Sequence, residues 1–137
     1  MRMRSLCPIL IALLPTTALA CKCATATLAQ LRVENDRIAL VEVVEVGAEF
    51  DGSTNFTSKL ATIRNVRLRI VESFTGSWAP EATVTETLRV EGYEIDCPLG
   101  YHPGERFILF LGNDQTFVTV CDTRPADQAL LERLRTR

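Results

Sequence analysis

Arg37 to Val46 reads RIALVEVVEV, and the fold turns on this run. It is rich in β-branched residues, which suit a pleated, half-buried surface. Val41 and Val43 fall on one face, but Val44 and Val46 then break the phase. A one-residue slip in the alternation marks a β-bulge, which bends a strand and sharpens its twist, as a closing barrel requires. Further along, Leu60 to Phe74 reads LATIRNVRLRIVESF, with Val66, Leu68 and Ile70 alternating against Arg67 and Arg69. That is the period of a strand with one face in the core. Gly76 to Ala82 is a Gly/Pro-punctuated turn. Thr83 to Val90, TVTETLRV, is the next strand, and Glu86 is placed to pair with an arginine across the sheet. Arg106 to Leu111, RFILFL, is a buried strand. A turn at Gly112-Asn113-Asp114 joins it to Thr116 to Cys121, TFVTVC, and the two are expected to form a hairpin. Gly47 to Lys59 is expected as a polar loop. Its Asn55-Phe56-Thr57 triplet is a glycosylation acceptor only in a eukaryotic secretory pathway.

Helical patterns flank the strands. Thr25 to Asp36 carries Leu28, Leu31 and Val33 on one side, and Ala126 to Arg135 carries Leu130, Leu131 and Leu134. Many short strands with turn signals point to a mainly β sandwich or small barrel. Five strands with terminal helices point to a five-stranded OB-fold Greek-key barrel. Val41, Val43, Val66, Leu68, Ile70, Leu88, Phe107, Leu109 and Val118 are its expected core.

The amino end has a different character. Met1 to Arg4 is a basic head, Leu6 to Leu14 is apolar, and Ala18-Leu19-Ala20 is a small-residue exit. This is the pattern of a secretory signal peptide over residues 1–20, and the apolar run is too short to span a bilayer. Cleavage after Ala20 leaves residues 21–137 as one small domain, secreted or periplasmic, beginning at Cys21. A competing expectation is a bacterial lipoprotein anchored through the Cys21 sulfur, although Leu19 stands one step late for that signal. No later run is long and apolar enough for a spanning helix. The whole chain carries a net charge of −2, and Arg2 and Arg4 leave with the signal. The acidic balance argues against a nucleic-acid partner.

Cys7 also leaves with the signal, so four cysteines remain: Cys21, Cys23, Cys97 and Cys121. An even number in a small exported domain indicates two disulfides. A bond between Cys21 and Cys23 would close a strained ring, and the other two connectivities remain open on spacing alone. The same cysteines fit zinc spacings poorly, so no metal of the protein's own is expected. His102 is the only histidine and sits in the turn GYHPGE. Glu42 with Glu45, and Glu91 with Glu94, read as solvated strand faces. There is no phosphate loop and no nucleophile pair, so neither an enzyme nor a cofactor is expected.

A mature terminus Cys-Lys-Cys calls for a different chemistry. An α-amino group has a pKa of about 8, so a sizeable fraction is neutral near pH 7. A neutral amine and the carbonyl oxygen of the same residue can chelate a metal as a five-membered ring. Disulfides at Cys21 and Cys23 would hold that terminus rigid and reduce the ordering cost of binding. A catalytic protease zinc keeps an open position where water sits, and Cys21 could occupy it.

The Cys21-x-Cys23 start, the bulged strand at Ile38–Val46, ESFTG at Glu72–Gly76, Cys97, GERFILFLG at Gly104–Gly112 and TVCD at Thr119–Asp122 succeed one another in a telling order. In this the sequence resembles the tissue inhibitors of metalloproteinases and, more widely, netrin-like modules. The resemblance covers nearly the whole mature chain. It implies disulfides Cys21–Cys97 and Cys23–Cys121 and a disulfide-stapled OB barrel. It also implies that the Cys21 amine and carbonyl chelate the catalytic zinc of a target metalloendopeptidase in trans. Lys22 would enter the pocket beside the metal, with Cys23, Ala24, Ile95, Asp96 and Cys97 touching the target. Lys22 stands where the family has a small residue, Asp96 is also charged, and the family's third disulfide and second domain are missing. Two functions stand as expectations. One is a secreted, monomeric metalloprotease inhibitor. The other is a non-inhibitory secreted or lipid-anchored OB-fold interaction module.

Overall fold

In a computed structural model, residues 23–54, 57–90, 93–94 and 99–136 are described. The chain runs α1 (Leu28–Glu34), β1 (Arg37–Val46), β2 (Phe50–Thr54), β3 (Thr57–Thr75), β4 (Glu81–Val90), β5 (Tyr93–Glu94) and β6 (Arg106–Leu111). It continues through β7 (Phe117–Val118), a short 3-10 helix (Val120–Asp122), β8 (Thr123–Pro125) and α2 (Gln128–Arg135). The protein is mainly β, as expected, but eight strands are described where the sequence pattern indicated five.

All eight strands belong to one open mixed sheet, with the path β5-β4-β3-β1-β6-β8. β1 lies between β3 and β6, antiparallel to both. β2 is added to β3, and β7 runs parallel to β4. β8 comes after β7 with only residues 119–122 between them, yet it pairs with β6. Two strands separated by so short a turn reach β4 and β6, so the sheet must curl to bring these together.

The bulge in β1 falls where the phase slip placed it. Val43 pairs with Leu68 and Glu45 with Arg67, so Val44 is the unmatched residue. Beyond the β1–β6 ladder, the Val43 N–H donates to the Glu105 carbonyl (2.9 Å) and Gly104 N–H donates to the Val43 carbonyl (2.8 Å). The bend sends Val41 and Val43 inward, with Val46 packed against the same cluster.

Apolar residues are buried on both faces of β1 and β6, which is why RFILFL is a continuous apolar run. Ala39, Val41, Val43, Phe107, Leu109 and Leu111 join Val66, Leu68, Val84 and Val118 in one core. Ile38, Leu40, Ile108 and Phe110 face the other way, beneath Leu28 of α1 and Leu131 and Leu134 of α2. Thr27 caps α1 through a capping box with Gln30, and the Asp127 side chain caps α2. Arg32 of α1 donates to the carbonyls of Arg133 and Thr136 at the end of α2 (2.7 and 3.2 Å), satisfying groups that a helix terminus leaves open. Val33, expected on the apolar side of α1, points outward and is 86% exposed.

Three expectations are corrected. TFVTVC does not form a hairpin with RFILFL. Phe117–Val118 pairs with β4, and Thr119 then caps a 3-10 turn, accepting from Cys121 N–H while Asp122 accepts from Thr119 N–H. The expected polar loop over Gly47–Lys59 contains β2, an outer strand paired only to β3 among the described residues. Leu88 is half-buried rather than core because β4 has its own bulge: Ile63 pairs with Thr87 and Thr62 with Arg89, skipping Leu88. Ile70 is also only half-buried, against the core of Val41, Leu68 and Phe107. Val84 and Glu86 occupy the inward positions of β4 instead.

Gly76 ends β3 with φ +82°, a conformation that L side chains rarely adopt. A Cβ there would lie 2.5 Å from the Asp36 carbonyl oxygen and 2.8 Å from Arg37 Cγ. Gly76→Ala is therefore expected to lower stability by roughly 1–3 kcal/mol, read from thermal unfolding. An unchanged midpoint would contradict this packing of the β3 end on the start of β1.

The outer face of the sheet carries alternating charges. Glu42 bridges Arg106 (2.8 Å) and Arg69 (2.7 Å), and Arg67 bridges Glu45 (3.1 Å) and Glu81 (3.4 Å). Hydrogen bonding from Arg106, then the charges of Arg69 and Arg106, hold the Glu42 carboxyl below the usual range. The Arg135 hydrogen bond does the same for Glu72. A depressed folded-state pKa gives stability that is present above the unfolded value, about 4.3, and is lost as pH falls through the folded value. The melting midpoint should therefore be insensitive to these groups above about pH 5 and fall in more acid solution. Glu42→Gln should flatten that fall, measured as unfolding midpoint against pH.

Candidate functional site

Residues 23–27 lead into α1 and are tied down at once. Cys23 is bonded to Cys121, with Cα atoms 5.3 Å apart across a sequence separation of 98. This is the pairing that the resemblance implied. Cys121 sits in the 3-10 turn, and four side-chain bonds immobilise that turn. Thr119 Oγ1 accepts from Cys121 N–H (3.2 Å), and Asp122 Oδ2 accepts from Thr119 N–H (2.7 Å). Arg124 donates to the Cys121 carbonyl (2.9 Å), and Thr123 Oγ1 donates to the Val120 carbonyl (2.8 Å). Cys23 is thus cross-linked to a turn whose shape is held by four local side-chain hydrogen bonds.

A third segment meets the same corner. Tyr101 stacks on Phe107 with ring centroids 4.1 Å apart, and its hydroxyl lies 3.3 Å from Thr123 Oγ1, two residues after Cys121. Leu99 is buried in the core with Phe107 and Val84, and its N–H donates to the carboxylate of Glu86. Glu86 is 2% exposed, and its other oxygen accepts from Arg64 Nε at 2.8 Å. The expected pairing of Glu86 with an arginine across the sheet is therefore present, Arg64 being its partner in the β3–β4 ladder. The bond to Leu99 had no sequence signal, because it joins residues on separate elements with no local pattern. Tyr101 and Thr123 were missed for the same reason.

Of the residues expected to touch a target, Cys23 is half-buried at this corner and Ala24 is exposed. Cys21, Lys22, Ile95, Asp96 and Cys97 lie outside the described residues, and so does the expected Cys21–Cys97 bond. They flank the corner in sequence: Lys22 precedes Cys23, and Cys97 stands two residues before Leu99. His102 is exposed in its turn. Glu42 and Glu45 are engaged by arginines on the outer face. Among the described residues, no group of three or more His, Cys, Asp or Glu side chains is placed to hold a metal, and no helix is long and apolar enough to cross a membrane. A separate groove between α1, the end of β3 and α2 is lined by Arg32, Ser73, Phe74, Thr75, Gly76 and Leu134. Its one charged residue, Arg32, is already committed to the end of α2.

No protein-family model matches the chain, and no curated protein matches it in sequence.

Proposed function

We propose that this protein is a secreted inhibitor of a zinc metalloendopeptidase, acting through the amine and carbonyl of Cys21 on the target's zinc. The observation that carries the reading is the Cys23–Cys121 bond, which ties the residue after Lys22 to a hydrogen-bonded turn beside Tyr101. A chelating terminus needs that anchorage, because a floppy one would lose binding energy to ordering. Lys22 then enters the pocket beside the metal, and Cys23, Ala24, Ile95, Asp96 and Cys97 contact the target. A second bond, Cys21–Cys97, completes the staple. Lys22 favours a target whose pocket is acidic or open, since burying an unpaired ammonium costs roughly several kcal/mol.

The OB-barrel reading belongs to the same proposal. The ladders β1–β3, β3–β4 and β1–β6, with β7 parallel to β4, support a five-stranded Greek-key core built from β1, β3, β4, β6 and β7. β2, β5 and β8 are then additions to it. The charged Lys22 and Asp96 favour the second reading, a non-inhibitory interaction module on the same barrel.

The experiment is titration of the mature protein against a panel of zinc endopeptidases, on material whose intact mass and non-reducing peptide map are known. Stoichiometric inhibition by protein beginning at an unmodified Cys21, with Cys21–Cys97 and Cys23–Cys121 paired, is the expected result. Protein of that same covalent structure that inhibits none of the panel would move the reading to the interaction module. Recovery of Cys21 linked to Cys121, or lipid on Cys21, would reject the chelating terminus outright.

A further inference from the structure

Glu86 is an anomaly in its own strand. It occupies an inward position of β4, two residues after the buried Val84, and is itself among the most buried side chains of the protein. An apolar residue would fill that position without desolvating a charge, and exchanging a buried ion pair for well-packed apolar residues is often neutral or stabilising. The carboxylate is therefore poorly explained by stability alone. Its effect is geometric. One oxygen takes Arg64 Nε from β3, and the other takes Leu99 N–H from the segment between β5 and β6. Arg64 is only 21% exposed and compensates the charge from the solvent side. Leu99 lies two residues beyond Cys97 and two before Tyr101, which reaches Thr123 beside the anchored turn.

We infer that Glu86 is a positioning residue that sets the segment Leu99–Tyr101 against the corner where Cys23 is bonded to Cys121. Its carboxylate fixes the backbone at Leu99, and the packed Leu99 and Tyr101 side chains fix the chain between them. The consequence for inhibition rests on the function proposed above; the positioning itself does not. Preorganising this segment would lower the ordering cost when a target cleft closes on it.

Amide hydrogen exchange on the mature, oxidised protein tests this, comparing wild type with Glu86→Leu and Glu86→Gln. Glu86→Leu removes the acceptor, and exchange at Leu99 to Tyr101 should accelerate on the order of 10–100-fold, the worth of a hydrogen bond to a charged group. Amides of Val41 and of Phe107 to Leu111 should change far less. Glu86→Gln keeps one carbonyl oxygen for Leu99 N–H, while Arg64 turns to water, so slow exchange at Leu99 should be restored. If Glu86→Leu does not fold, Glu86→Asp decides. It keeps the charge but is one methylene short of reaching both partners, and should free the Leu99 amide. Equal exchange at Leu99 in wild type and Glu86→Leu, or Glu86→Asp where it stands in, would overturn the inference. So would acceleration shared uniformly by β1 and β6, which is the mark of a merely structural residue. Inhibition of the same zinc endopeptidase panel is measured in parallel. Loss in Glu86→Leu with rescue by Glu86→Gln extends the role to function. A panel that wild type does not inhibit counts against the proposed function, while the exchange data still decide the positioning.

Discussion

Replacing Cys23 and Cys121 together with serine is expected to lower the stability of this domain by roughly 3–5 kcal/mol. Alone, the bond spans a sequence separation of 98; with the proposed Cys21–Cys97 bond intact it still closes a loop of roughly 26 residues, worth about 3.5 kcal/mol. A domain of this size is stable by only about 5–15 kcal/mol in total, so the change should remove a large fraction of it. The double replacement is the right test, because a single one leaves a free thiol that can pair wrongly with Cys21 or Cys97. Urea unfolding of the double variant should show a much lower midpoint. The effect should be partly local as well. Residues 23–27 lose their only covalent anchor among the described residues, and Thr27 must cap α1 without it. A midpoint shift worth less than about 1 kcal/mol would mean that the unfolded chain is already constrained, or that the turn at Val120–Asp122 does not need the bond.

The parts of this structure that were legible from sequence are those whose signals are local. The slip from Val43 to Val46 placed the β1 bulge because each residue's face is set by its neighbours in the strand. RFILFL showed a strand buried on both faces because no polar residue interrupts it after Arg106. Leu131 and Leu134 marked the inner side of α2 at helical spacing. The failures are equally physical. Thr116 to Cys121 alternates like a strand, but Thr119 and Asp122 stand three apart, as a capping box requires, and the capped turn prevailed. Leu88 matched the inward period of β4, and only the partner strand reveals that a bulge removes it. Phe50 to Thr54 looked like loop because FDGST carries no apolar alternation, and only its pairing with β3 makes it a strand. The site was legible at Cys23 and Cys121, through the cysteine pattern and the family resemblance. It was not legible at Glu86, Leu99, Tyr101 and Thr123, whose contacts join separate elements.

The chelating terminus makes the largest functional prediction. One alanine added before Cys21 converts its amine into an amide. An amide nitrogen has no available lone pair for a metal, and the extra residue would press into the floor of the target cleft. Neither Cys23 nor Cys121 is touched, so the anchored turn and the sheet should keep their stability. Acetylating the terminus alters the same atom without adding a residue and should act alike, which separates loss of the donor from steric exclusion. The measurement is residual activity of a zinc endopeptidase titrated with native, alanine-extended and acetylated protein of matched melting midpoint and matched disulfide map. The account predicts that the native form inhibits stoichiometrically and that both altered forms are inactive. Inhibition by the alanine-extended form equal to that of the native form would contradict it.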